Sequence, residues 1–361
     1  SELDHFLALA DARIGFGDYT RLPEICRNLL QADARPASPI ADYNAFLRLP
    51  RLRIGAPHTA YLKISEGCSN PCSFCCIPQI RGRQVSLPIE QIVEEAQNLI
   101  HHGAREINFI AQDTTSYGKD LYGTFRLPEL LQAVRQIQGD VWFRLMYAYP
   151  KHLSDEILNA LAADPRFCRY IDLPLQHISD SVLTAMHRDF SKQQTLELLD
   201  RIEKILPGAA IRTAFIIGFP NETEKDFEEL LSFVRQGRFS HVGAFAYSSE
   251  PRTPAARMDN RTSPDEKINR CEQLMLAQLN VSRQRLRRRV GSVEDVLVDG
   301  ILDIKDRAIP GVRYVGRTKL EAPEVDGVVL LKSEHSAQNH VGQVVRARVV
   351  DSLDYDLVAE V

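Results

Sequence analysis

The sequence predicts an α/β protein of 361 residues: an open, partial (β/α)6 barrel of the TIM-like kind, followed by a small all-β barrel. Three observations carry this. Between about residues 58 and 290, short apolar runs alternate with longer amphipathic stretches. From Gly291 onward the pattern switches to short strands at close spacing, punctuated by Gly and Pro turns. Four of the seven cysteines crowd into residues 68–76, directly after the first apolar run, where an α/β barrel carries its functional loops.

The strand candidates of the first module are AYLKI (60–64), INFIA (107–111), VWFRLM (141–146), YIDL (170–173), IRTAFIIGF (211–219) and HVGAFAY (241–247). Helical patterns separate them. In PIEQIVEEAQNLIHHG, the apolar Ile92, Val93, Ala96, Leu99 and Ile100 recur at helical spacing, and DEILNALAAD, SVLTAMHRD, QTLELLDRIEKIL and EKDFEELLSFVRQG follow the same logic. Six β units rather than eight predict a barrel that stays open. The second module reads as VEDVLVDG, VRYVGRT, GVVLL, QVVRARVV and YDLVAEV. Ahead of both, ARIGFGDYTRLPEICRNLL reads as a strand end, a Gly-rich turn and a closing helix, too little for a domain, and residues 36–57, rich in Pro, Ala and Arg, read as a linker. The expected divisions are therefore 1–35, 36–57, 58–288 and 289–361.

Hydrophobic content of 44% with 25% charged residues is ordinary for a soluble globular protein, and a net charge of −4 gives the whole molecule no signature of a nucleic-acid or membrane binder. No apolar run approaches the roughly 20 residues of a membrane span. The start SELDHF lacks the basic and apolar regions of a signal peptide, so a cytoplasmic location and no membrane partner are expected. Ser1 in place of Met suggests that something upstream has been removed.

Seven cysteines are an odd number, and a disulfide framework would spread them out, so the cluster at 68–76 favours a metal site in a reducing compartment. Cys26, Cys168 and Cys271 stand alone and are expected to be small buried hydrophobes. In EGCSNPCSFCCIPQIRG the spacing is Cys68-x3-Cys72-x2-Cys75. Three thiolates from one loop can each take one iron of a 4Fe-4S cubane, whereas a cluster used only for electron transfer normally has four cysteine ligands. The missing fourth ligand leaves an iron open to chelate the amino and carboxylate groups of a methionine-type cofactor. Phe74 would present an aromatic edge to that cofactor's adenine. Two alternatives stand beside this reading. A zinc site needs a fourth ligand, and none of His58, His101 and His102 is spaced as a partner. Cys76 as third ligand would give x3 followed by x3, a poorer match.

Such a loop after the first strand of a βα barrel resembles the hallmark of the radical S-adenosylmethionine superfamily. GAREINFIAQDTTSYGKD (103–120), DLPLQHISDSVLTAMHR (172–188) and IRTAFIIGFPNETEKDFEEL (211–230) are similar to segments of its methylthiotransferase branch, so the resemblance covers essentially the whole chain. It implies that Gln112, Asp113, Gln176 and Arg212 contact S-adenosylmethionine. Asp113 and His177 could equally orient neighbours, and Arg212 lies early in its strand, the weakest case on position alone. The resemblance further implies reductive cleavage to a 5′-deoxyadenosyl radical, abstraction of hydrogen from the β-carbon of an aspartate, and replacement by a methylthio group. A second molecule of S-adenosylmethionine would supply the methyl and a second 4Fe-4S cluster the sulfur. That second cluster belongs to an N-terminal domain of which GFGDYTRLPEI resembles only the closing segment, so it is expected only in a full-length protein. This chain should cleave the cofactor without completing methylthiolation.

GRTKLEAPEVDGVVLL and DSLDYDLVAEV resemble the TRAM domain that ends such enzymes. In one branch this domain meets transfer RNA, in another a basic small-subunit ribosomal protein, the one numbered twelve. Residues 291–361 hold 8 Lys and Arg against 13 Asp and Glu, an acidic excess that would repel RNA and suits a basic protein substrate. The basic run RQRLRRR (283–289) is the one feature favouring RNA, and its plain reading is a solvated helix end. A flavodoxin or ferredoxin as electron donor and a monomeric state complete the expectations; a non-catalytic Fe–S binding module is the remaining alternative.

Overall fold

A computed structural model describes residue 14 and residues 21–31, 54–302, 309–333 and 340–361. Nearly all of the expected linker, and all of the 1–35 segment except Ile14 and the helix Leu22–Leu30 with its flanking residues, lie outside the described residues.

The first strand, β1 (Thr59–Lys63), leads into a two-residue hairpin of β2 (Ser65–Glu66) and β3 (Val85–Ser86) that frames the cysteine loop. Then come β4 (Glu106–Ile110), β5 (Trp142–Leu145), β6 (Tyr170–Asp172), β7 (Ala210–Ile217) and β8 (His241–Ala246). β1, β4 and β5 pair in parallel, as do β6, β7 and β8. The halves join where Phe143 N–H donates to Arg166 O (2.9 Å) and Cys168 N–H to Phe143 O (2.8 Å). The result is the expected open six-stranded barrel, each strand within two residues of its expected bounds.

Pattern explains the layers. In β7, Ile211, Thr213, Phe215 and Ile217 are buried while Arg212, Ala214 and Ile216 on the alternate face are less so, because successive side chains of a strand point to opposite sides. The buried set packs against helices carrying matching stripes, such as Leu198, Leu199 and Ile202 of Lys192–Ile205 and Phe227, Leu230, Leu231 and Val234 of Glu224–Arg235. Both helices start on a capping box, Ser191 with Gln194 and Thr223 with Asp226, which satisfies end N–H groups. Helices Lys119–Tyr122 and Leu127–Val134 were not expected, being too short to show a sustained period.

After the long helix Pro264–Arg287 the chain forms β9 (Val293–Ile301), β10 (Val312–Arg317), β11 (Val329–Lys332), β12 (Val344–Ser352) and β13 (Leu357–Glu360), closed as β10-β11-β13-β12-β9. This barrel covers the N-terminal ends of the core strands. Trp142, Tyr170 and Ala210, each first in its strand, pack with Leu297 and Ala322. Around them lies a chain of buried ion pairs. Arg317 reaches Asp299 (2.7 and 2.8 Å) and Glu106 (2.8 Å), and Glu106 accepts from Arg144 Nε (2.9 Å). Attraction outweighs burial here: burial opposes ionisation of Glu106, yet Arg144 and Arg317 hold its carboxyl below the ordinary range.

Two arginines of the basic run, Arg283 and Arg289, bind the terminal barrel, and Arg285 binds the core. Arg289 binds Glu294 (2.6 Å) and Glu321, Arg283 binds Asp354 (2.7 Å), and Arg285 donates to Gly237 O (3.1 Å). Asp326 likewise pairs with Arg212 of the core, so part of the terminal barrel's acidic excess is offset by arginines outside it, while Asp299 and Glu360 pair inside the barrel with Arg317 and Lys332.

Candidate active site

The cysteine loop owes its path to a few contacts. Gly67 has φ +79°, and a Cβ there would lie 2.3 Å from Arg83 O, so only glycine lets the two limbs of the loop approach. Cys68 N–H donates to Gly82 O (3.1 Å). Ser73, fully buried between the second and third ligand positions, donates through its N–H to Met186 O (3.0 Å) and through its hydroxyl to Ala185 O (2.7 Å). The loop is thereby pinned to the C-terminal end of the helix Asp180–Ala185.

Cys68, Cys72 and Cys75 line one cavity of about 140 Å³, together with Asn70, Phe74, Gln112, Tyr147, Tyr149, Gln176 and Arg188. All but Arg188, which lies just past the helix Asp180–Ala185, sit on segments that follow the C-terminal ends of core strands. Cys76 is not in the lining; it caps the helix Ile77–Arg81, its carbonyl accepting from Gln79 (2.9 Å) and Ile80 (3.1 Å) N–H. Each candidate thiol faces a donor: Cys75 Sγ accepts from Ile77 N–H (3.4 Å), Cys68 from the Asn70 backbone, and Cys72 Sγ from Arg188 Nη1 (3.5 Å). Burial pushes the free Cys68 thiol up to about 11 and raises Cys75, so binding a metal through these two sulfurs must release their protons. Among the described residues no three His, Cys, Asp or Glu converge on a single-ion site. Thiols spread around a cavity suit a cubane, in which each binds a different iron, and sulfur-directed N–H groups are what such a cluster's ligands require.

Gln112 and Gln176 both reach the cavity as expected. The Gln112 amide donates to Glu66 Oε1 (3.2 Å), and its buried Oε1 has no hydrogen-bond partner among the described residues, which leaves it able to accept from a ligand in the cavity. Gln176 has φ +75° and Tyr147 φ +60°, two strained residues on one cavity wall. Phe74 lies edge-on to Phe219, with centroids 6.5 Å apart.

Two expected cofactor contacts fall elsewhere. Asp113 lies beneath the cavity, where Oδ2 accepts from Asn70 Nδ2 (2.8 Å) and sits 3.3 Å from His152 Nδ1, while Oδ1 accepts from Thr115 (2.6 Å) and Ser116 N–H (3.2 Å). Burial opposes its ionisation, but bonds from His152, Thr115 and Asn70 hold the carboxyl below the ordinary range. Asp113 thus braces Asn70 and is not among the cavity's lining residues. Arg212 is only three residues into β7, which sets it low in the barrel; Nη1 donates to Asp326 Oδ1 (2.6 Å) and Val325 O (3.0 Å) of the terminal module. Arg212 thus makes junction contacts and is not among the cavity's lining residues. His177 is fully buried, its Nδ1 accepting from Ser179 N–H (3.0 Å), away from the cavity. Cys168 is buried and Cys271 packs on the core, but Cys26 is exposed, contrary to expectation.

Asn70, Tyr147, Tyr149 and Arg188 went unnoticed in the sequence as site residues. Only Arg188, an arginine just past a helix end in one of the matching segments, offered a signal.

This fold and its three-cysteine cavity define a radical S-adenosylmethionine enzyme, and residues 62–234 match the Radical SAM superfamily while 290–361 match the TRAM domain. The ribosomal protein uS12 methylthiotransferase RimO of Geobacter sulfurreducens is 42% identical over 364 residues, covering 100% of this chain and 79% of that protein. Its namesakes from Citrifermentans bemidjiense and Caldanaerobacter subterraneus are 40% and 39% identical, over 79% and 80% of their lengths. The chain belongs to the RimO family of radical S-adenosylmethionine methylthiotransferases.

Proposed function

We propose that the cavity at the C-terminal ends of the core strands binds a 4Fe-4S cluster through Cys68, Cys72 and Cys75 and S-adenosylmethionine beside it, and that the target is an aspartate β-carbon of ribosomal protein uS12. The carrying observation is the gathering on one cavity of three thiols and a buried Gln112 oxygen with no partner among the described residues, in a chain whose relatives are named for uS12. Cluster and cofactor, when bound, supply hydrogen abstraction. The chain's own residues place them: Phe74 offers an aromatic face, Gln112 and Gln176 offer amides, and Asp113 fixes Asn70 in the wall. Tyr147 and Tyr149 add aromatic surface to the same cavity.

The transfer-RNA alternative rested on the 283–289 run, and three of its arginines are engaged within the chain. A small low-potential donor such as a flavodoxin or ferredoxin fits the electron requirement, and the sulfur-donating second cluster is proposed for a longer form of the protein. Incubating the reduced, reconstituted chain with uS12 deuterated at the aspartate β-carbon tests the target without requiring sulfur transfer. Deuterium in the released 5′-deoxyadenosine is expected. Label-free 5′-deoxyadenosine at a rate indifferent to uS12 would sink the substrate assignment.

A further inference from the structure

Three thiols line the cavity and three N–H groups face them, but the donors are not alike. Cys68 and Cys75 are each served by the backbone N–H two residues on, Asn70 and Ile77, an arrangement any such loop makes for itself. Cys72 is served by a charged side chain 116 residues away in sequence, Arg188, whose Nη1 lies 3.5 Å from Sγ.

That guanidinium is held from every side. Arg188 is only 8% exposed, its Nη2 donates to Pro174 O, and its plane lies over the Tyr149 ring, 4.3 Å from the centroid. Its backbone is fixed as well. The helix Asp180–Ala185 ends with Arg188 N–H bonded to Leu183 O (2.8 Å), and His187, just before the arginine, has φ +54°. A six-to-one bond closed over a left-handed residue is the Schellman ending, whose left-handed position normally takes glycine; a histidine there carries strain. The same helix end receives Ser73 of the cysteine loop, so sulfur and guanidinium ride on one rigid unit.

We infer that Arg188 is a positioning residue for the electron step: it fixes the Cys72 sulfur and raises the reduction potential of the cluster. This rests on the cluster reading proposed above. In that step an external low-potential donor loses one electron and the cluster gains it, with no proton transferred. The reduced form carries one more negative charge, and a fixed cation at a ligand sulfur, screened from water, stabilises it selectively.

The test is a dithionite titration with redox mediators, followed by electron paramagnetic resonance, on anaerobically reconstituted wild type, Arg188→Lys and Arg188→Gln. Iron and sulfide content of each sample is measured first. Arg188→Gln is expected to load its cluster and titrate at a lower midpoint, with Arg188→Lys between it and wild type. A loaded Arg188→Gln that titrates at the wild-type midpoint overturns the inference. Should Arg188→Gln fail to load, Tyr149→Leu keeps the cation but removes the ring that holds it; a lowered midpoint supports the role and an unchanged one overturns it. Wild type that takes up no cluster overturns the cluster reading itself, an outcome distinct from an unchanged midpoint.

Discussion

The two ends of the core barrel are built on opposite principles. At the N-terminal ends of the strands, charge meets charge: Arg317, Glu106, Arg144 and Asp299 interlock, and the five-stranded barrel closes over them. At the C-terminal ends, thiols and amides line an open cavity, Gln112 Oε1 lacks a partner among the described residues, and Tyr147, Gln176 and His187 hold left-handed backbone. One end is finished by folding. The other is finished only by a ligand, and the strain there is stored where a cofactor would repay it.

The sharpest way to break this contrast is at the ligands. Alanine at Cys68, Cys72 or Cys75 is expected to abolish iron and sulfide uptake, whereas Cys76→Ala, outside the cavity, should keep both; iron and sulfide assays of the purified chains decide it. The closed end should answer differently. Arg317→Met removes the cation shared by Glu106 and Asp299, leaving Glu106 to Arg144 and Asp299 to His58, and should cost about 3 kcal/mol in urea unfolding, the lower end for loss of one partner of a buried pair. The protein that remains folded should still load its cluster.

Those two outcomes also mark what the sequence could and could not reveal. Cys68, Cys72 and Cys75 were legible because one loop supplies all three, and the strands because alternation and apolar runs are local. Arg212 misled because a resemblance gives no depth in the barrel: its third place in β7 points it to Asp326, a partner 114 residues away. Arg188 hid for the same reason, since only the folded chain brings it to Cys72. The acidic count of the terminal barrel was legible, but its ion pairs with Arg212 and Arg283 were not.

A smaller effect is expected at the loop's hinge. Gly67→Ala places a methyl against the Arg83 carbonyl on left-handed backbone, a strain of about 1–3 kcal/mol, measurable as weaker cluster retention during chelator challenge. The smallest is a pH effect at the junction. Glu106 and Asp299 have folded-state pKa values below their unfolded ones, so their stabilisation is present above the ordinary carboxylate range and lost as pH falls through the lowered values. Trp142, the sole tryptophan and part of the junction core, should shift its emission to the red on acidification below about pH 4. Emission unmoved down to global unfolding would show that these carboxylates do not hold the junction.

The account turns on an iron left open at the unfinished end, and electron paramagnetic resonance of the reduced, reconstituted chain before and after addition of S-adenosylmethionine addresses it directly. A signal that changes on addition, with 5′-deoxyadenosine released, is the predicted result. A fully iron-loaded chain whose signal ignores S-adenosylmethionine and releases no 5′-deoxyadenosine would contradict it.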